Sequence, residues 1–135
     1  MSFFYVGGKT ANSVNGYCKI GETGMRLAQR ISLIRYTEKN FCLFQYIELP
    51  NATKAERLVV EAVARLALER EGYIHTQNDH FNMPINKESK ADIYNAFADK
   101  AVKYAILACE LFNIEYNEPQ AGNPNQRKTV KHRKK

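Results

Sequence analysis

The sequence predicts a small α/β domain: a three-stranded, mostly antiparallel sheet flanked by helices, in the order ββαβα, with a long C-terminal helix added. Three observations carry this reading. Two short β-forming runs flank the turn signal Asn15-Gly16, two amphipathic stretches straddle a third apolar run, and a long helical period follows a polar loop. A chain of 135 residues, 44% of them hydrophobic, is long enough for one core and too short for two ordinary domains.

The first pair of strands is expected at Phe3-Phe4-Tyr5-Val6 and Tyr17-Cys18-Lys19-Ile20-Gly21, with a Gly-rich connection ending in Asn15-Gly16. Side chains alternate along a strand, so Phe3, Tyr5 and Gly7 share one face, as do Tyr17, Lys19 and Gly21 on the partner. If the two faces coincide, two phenols and an amine converge. Residues 24–37 place Leu27, Ile31 and Ile34 at helical spacing, with Arg26, Arg30 and Arg35 alongside. Residues 41–49 are dense in aromatic and aliphatic side chains and stop at Pro50, as a third strand would.

Residues 53–71 form the clearest helix, with Leu58, Val59, Ala62, Val63, Leu66 and Ala67 expected on one stripe and Gly72 as the stop. Between Tyr73 and Lys87 the residues Asn78, Asp79, Asn82, Pro84 and Asn86 predict an irregular loop. Residues 89–113 then carry Ile93, Phe97, Ala101, Tyr104, Ala108, Leu111 and Phe112 on a long amphipathic helix, and Ser89 with Asp92 approximates an N-terminal cap. Its apolar and tyrosine content would also suit a homodimer contact.

No stretch approaches the ~20 apolar residues of a membrane span, and a basic start with an apolar run is lacking, so no membrane and a cytoplasmic location are expected. Cys18, Cys42 and Cys109 are odd in number and far apart, which supports neither a disulfide framework nor a zinc site. The segment from His75 to Asn82 mixes histidine with Asp79 but matches no zinc spacing.

The net charge of +6 comes from the last residues: Arg127, Lys128, Lys131, Arg133, Lys134 and Lys135 follow the last acidic residue, Glu118. Residues 117–135 hold Gly122, Pro124 and little that is apolar, so a disordered basic tail is expected. Such a tail adds sequence-independent affinity for a phosphate backbone, or simply aids solubility.

The hairpin with Tyr5 and Lys19-Ile20-Gly21, followed by Met25-Arg26-Leu27-Ala28-Gln29-Arg30, a strand and a helix bearing Glu56, resembles the GIY-YIG endonuclease superfamily over roughly residues 3–75. It is most similar to the compact, phage-type branch whose second motif reads Lys-Ile-Gly. Phe3 stands where the first motif has glycine, Phe4 where it has isoleucine, and Lys19 where the second motif has tyrosine. The resemblance implies that residues 1–116 form a nuclease-like domain hydrolysing DNA phosphodiesters with Mg2+ or Mn2+.

Residue by residue, the resemblance implies that Tyr5 acts as the base or orients the water, with Lys19 stabilising a phenolate. Tyr17, two residues earlier on the same face, supplies the hydroxyl that Lys19 replaces. Arg26 corresponds to the phosphate-clamping arginine, although Arg30, four residues on, lies on the same side of a helix and spacing alone does not choose between them. Glu56 corresponds to the metal-binding glutamate, and one carboxylate suffices for magnesium, which keeps several waters. The same Glu56 completes the pattern Thr53-Lys54-Ala55-Glu56, a capping box that needs no metal. Asn78 or Asn82 would take the place of an asparagine found beyond the glutamate helix. The rival implication is a catalytically inactive nucleic-acid-binding or protein-interaction module on the same fold.

Overall fold

The computed structural model describes residues 2–9, 16–76, 80–83 and 90–122. β1 (Phe3–Lys9) and β2 (Tyr17–Thr23) pair antiparallel with Tyr5 opposite Gly21, Gly7 opposite Lys19 and Lys9 opposite Tyr17. Directly opposed residues share a face, so Tyr5, Lys19 and Tyr17 do lie on one side of the sheet. Asn15 of the turn signal lies outside the described residues, and both strands run two or more residues beyond the expected runs.

α1 (Leu27–Thr37) follows, then β3 (Cys42–Glu48), which pairs antiparallel with β1 on its other side through a register shift between Val6 and Gly7. α2 (Lys54–Arg70) starts at an N-cap Thr53 and ends before Gly72, whose φ of 107° suits glycine. α3 (Lys90–Phe112) is the long C-terminal helix. Its cap at Ser89 and the Asp92 side chain lie outside what is described.

The sheet differs from the expected three strands. Among the described residues it has five, in the order β4-β2-β1-β3-β5, and each of these pairings is antiparallel. β4 (His80–Asn82) arises inside the expected loop and adds to β2, with Lys19 opposite His80 and Cys18 opposite Phe81. Its three residues are too few to show a period, yet Phe81 is fully buried and anchors it. β5 (Gln120–Ala121) lies inside the expected tail and adds to β3; the amides of Asn117 and Gly122 donate to Glu48 and Phe44 carbonyls. Backbone pairing along an open edge holds this segment although it has almost nothing apolar.

The two sheet faces bury different cores. Phe4, Val6, Cys18, Ile20, Ile47, Phe81 and Phe97 belong to a large core with α2 and α3, whereas Tyr5, Leu43, Phe41, Ile31 and Ile34 form a smaller one under α1. α1 therefore buries the stripe expected of it. α2 does not: Val60, Ala64 and Leu68 are its buried residues, while Leu58 and Leu66 are about half exposed. The rotation is fixed by Arg57, whose Nε donates to Glu22 on β2 at 2.7 Å, turning that side of the helix toward the sheet. α3 packs against α2 and the sheet, and its buried face carries the small residues Ala98, Ala101, Ala105 and Ala108; Leu107, Leu111 and Phe112 stay at the surface. Among the described residues no helix is long and apolar enough to cross a membrane.

Candidate functional site

Tyr5 sits on the central strand with its ring fully buried beneath α1. The phenol lies over Gly21, where a Cβ would collide with it, so glycine at that position is what lets the hydroxyl reach the sheet face. Arg30 Nε donates to the Tyr5 oxygen at 3.4 Å. Burial pushes the phenol pKa up; the bond from Arg30 and its charge offset part of that rise, and the carboxylates of Glu61 and Glu22 add to it. Tyr5 is thus a protonated phenol at neutral pH, with a guanidinium on one side and two carboxylates within electrostatic range.

The arginine beside Tyr5 is Arg30, not the expected Arg26. The helix begins at Leu27 rather than Gly24, which leaves Arg26 exposed at the N-cap with no side-chain capping bond. Arg30 follows the first turn next to the buried Ile31, where its side chain can reach the sheet.

Glu56 lies at the opening of α2 and completes the capping box: its Oε1 accepts from the Thr53 amide at 2.9 Å, and the Thr53 hydroxyl accepts from the Glu56 amide at 3.2 Å. Its carboxylate is engaged at its own helix terminus, so the structure supplies the capping reading and does not bring Glu56 to Tyr5. The α2 carboxylate that acts on the phenol is Glu61, mostly buried and 3.7 Å from Arg65. Helical period explains the difference, because Glu61 is four residues beyond Arg57, on the side of α2 that Arg57 ties to β2.

A second cluster occupies the same face at the β2–β4 end. Tyr17 donates to Glu38 Oε1 at 2.5 Å, Lys19 Nζ lies 3.2 Å from Oε2, and His80 Nε2 lies 3.2 Å from Oε1. The His80 ring stacks on Tyr17 with centroids 3.9 Å apart and planes 11° from parallel. Burial would raise the Glu38 pKa, but the bond from Tyr17, the charge and bond of Lys19 and the charge of His80 outweigh it and hold the carboxyl below its ordinary value. Burial, together with the Glu38 bond and charge, pushes the Tyr17 phenol far above the usual range. Neither Glu38 nor His80 was expected at the site. They stand 19 or more residues from the side chains they bond, and only the chain's turn at Glu38 and the short β4 bring them in.

Asn82 is exposed on β4, opposite Tyr17, and Asn78 lies outside the described residues. So do Arg127, Lys128, Lys131, Arg133, Lys134 and Lys135. Among the described residues no group of three His, Cys, Asp or Glu side chains could hold a metal ion. No protein-family model, curated protein or solved structure matches this chain.

Proposed function

We propose that this protein is a GIY-YIG-type endonuclease-like domain that takes a DNA phosphodiester on the sheet face bearing Tyr5, Lys19 and Tyr17. The observation that carries the reading is the junction of Tyr5 with Arg30, beside Lys19 and Tyr17 on one face and with Glu61 in electrostatic range. A guanidinium held by a buried phenol is a preorganised donor for a non-bridging phosphate oxygen. The fully protonated Tyr5 hydroxyl can donate to the same group or orient a water.

The divalent cation implied by the resemblance needs oxygen ligands and is content with one or two carboxylates plus substrate phosphate. Glu61, whose charge reaches Tyr5, fits this better than Glu56 at the opening of α2; each carboxylate already has a protein partner, Arg65 for Glu61 and the Thr53 amide for Glu56. When bound, the ion would supply Lewis acidity toward the phosphate. The chain's own part is to hold the phosphate with Arg30, to place the Tyr5 hydroxyl, and to exclude water from the small core beneath α1.

A second reading, a nucleic-acid-binding module without cleavage, is favoured by the raised pKa of both phenols and by the pairing of Lys19 with Glu38, which disfavour the phenolate that the resemblance implies. Conversion of supercoiled plasmid to open circles, with magnesium present and with it chelated, separates the two. Magnesium-dependent nicking supports the enzyme; retention of DNA without nicking supports the binding module.

A further inference from the structure

Tyr17, Lys19 and His80 aim three donors at one point, and the group found there is an internal carboxylate. We propose that these three side chains form a phosphate-oxygen site that Glu38 occupies in the free protein, making Glu38 a built-in competitor of the nucleic-acid backbone. This rests on the reading of the sheet face as a DNA site and adds the control of access to it.

The donors come from the sheet. Lys19 and His80 are register partners on β2 and β4, Tyr17 is two residues back on the same face, and the Tyr17–His80 stack fixes both rings. The acceptor comes from a helix end. Glu38 is the C-cap of α1, where the helix dipole disfavours a negative charge, so its position depends on the donors it meets. Tyr17 and His80 bond one carboxylate oxygen and Lys19 the other. A phosphodiester presents the same feature, two anionic oxygens on one centre, to an ammonium, a phenol and an imidazole.

The cluster is reachable: the side chains of Lys19, Glu38 and His80 keep 12%, 17% and 20% of their exposure, so Glu38 can turn out to water without unfolding α1. Lys9, across from Tyr17 on β1, extends positive charge along the same face. Exchange of carboxylate for phosphate would leave the ammonium paired throughout, which a buried charge requires.

The test uses the full chain and two variants. Glu38→Gln removes the competing charge; Glu38→Asp keeps the charge but shortens its reach. Thermal melts verify that each folds, and Glu118→Gln, at an exposed site, controls for net charge. Duplex affinity is read by fluorescence anisotropy, and inorganic phosphate binding by the NMR shift of the His80 ring. Both Glu38 variants should bind duplex more tightly than wild type, Glu38→Gln on the order of tenfold, the equivalent of one charge-assisted hydrogen bond. Both should gain a phosphate-dependent His80 shift, which Lys19→Gln added to Glu38→Gln should remove. A His80 shift gained without duplex binding by any variant would uphold the competitor and overturn the DNA reading. Phosphate and duplex affinities in both variants no higher than in wild type and Glu118→Gln would overturn the competitor, and wild-type duplex binding would then leave the DNA reading standing.

Discussion

Arg30 donates through Nε to the Tyr5 phenol oxygen at 3.4 Å, tying the start of α1 to the central strand of the sheet. The bond makes one unit of a helix cation and a buried hydroxyl that neither local pattern nor composition links. It also sets the two arginines apart, since Arg30 reaches Tyr5 while Arg26 is exposed. Arg30→Ala should abolish cleavage and weaken duplex binding, because it removes the proposed phosphate clamp and leaves the Tyr5 hydroxyl without that donor. Arg26→Ala, at the exposed helix entry, should lower affinity only modestly. Cleavage rates and anisotropy on the two variants check this.

Glu56 and Glu61 should separate stability from chemistry. Loss of the capping glutamate in Glu56→Ala should cost roughly 0.5–2 kcal/mol, the range for helix-cap substitutions, with cleavage by the folded fraction intact. Glu61→Gln should suppress magnesium-dependent cleavage while duplex binding persists, since removing a carboxylate eases approach of phosphate. Denaturant melts run beside the nicking assay decide which carboxylate does which.

Gly21→Ala should be costly because the new methyl would meet the Tyr5 phenol. Tyr5 is fully buried and has little room to yield, so a loss of about 1–3 kcal/mol is expected, as for other overpacked cores. The displaced phenol should also lose its bond to Arg30, and cleavage should fall further than the melt alone explains.

The pH dependence of stability follows from Glu38. Its carboxyl is held below 4.5 in the folded protein, so the folded state binds that proton less readily than the unfolded chain. The stabilisation is complete above about 4.5 and disappears as pH falls through the lower folded value. Melting temperature should therefore drop across the acid range, and Glu38→Gln should flatten the drop. An equal slope in both proteins would show that Glu38 gains nothing from its three donors.

Removal of residues 127–135 should weaken duplex binding and reduce the slope of log K against log salt, by about 0.9 for each phosphate that the tail no longer neutralises. The six Lys and Arg charges of this segment are the excess over an otherwise balanced chain. An unchanged slope would mean that they do not touch the backbone.

Much of the scaffold was legible because its signals are local. Period-two alternation placed Tyr5, Tyr17 and Lys19 on one face, and the spacing of Thr53 and Glu56 announced the capping box. The helical stripe of α1 was legible in the same way. What was not legible depends on interactions between distant segments. The rotation of α2 is set by Arg57 meeting Glu22, 35 residues away, which no helical period encodes. β4 and β5 are too short to show alternation and exist because open strand edges accept them. Glu38 gave no signal at all: beyond the end of α1 it looks like a solvated charge, and only the fold gathers Tyr17, Lys19 and His80 around it.

Whether the Tyr5–Arg30 face takes a DNA phosphodiester for cleavage is decided by single-turnover nicking of plasmid with magnesium by wild type, Arg30→Ala and Glu56→Ala. Nicking is expected from wild type and Glu56→Ala and none from Arg30→Ala. Equal rates in wild type and Arg30→Ala, or loss of nicking in folded Glu56→Ala alone, would contradict that role for the face.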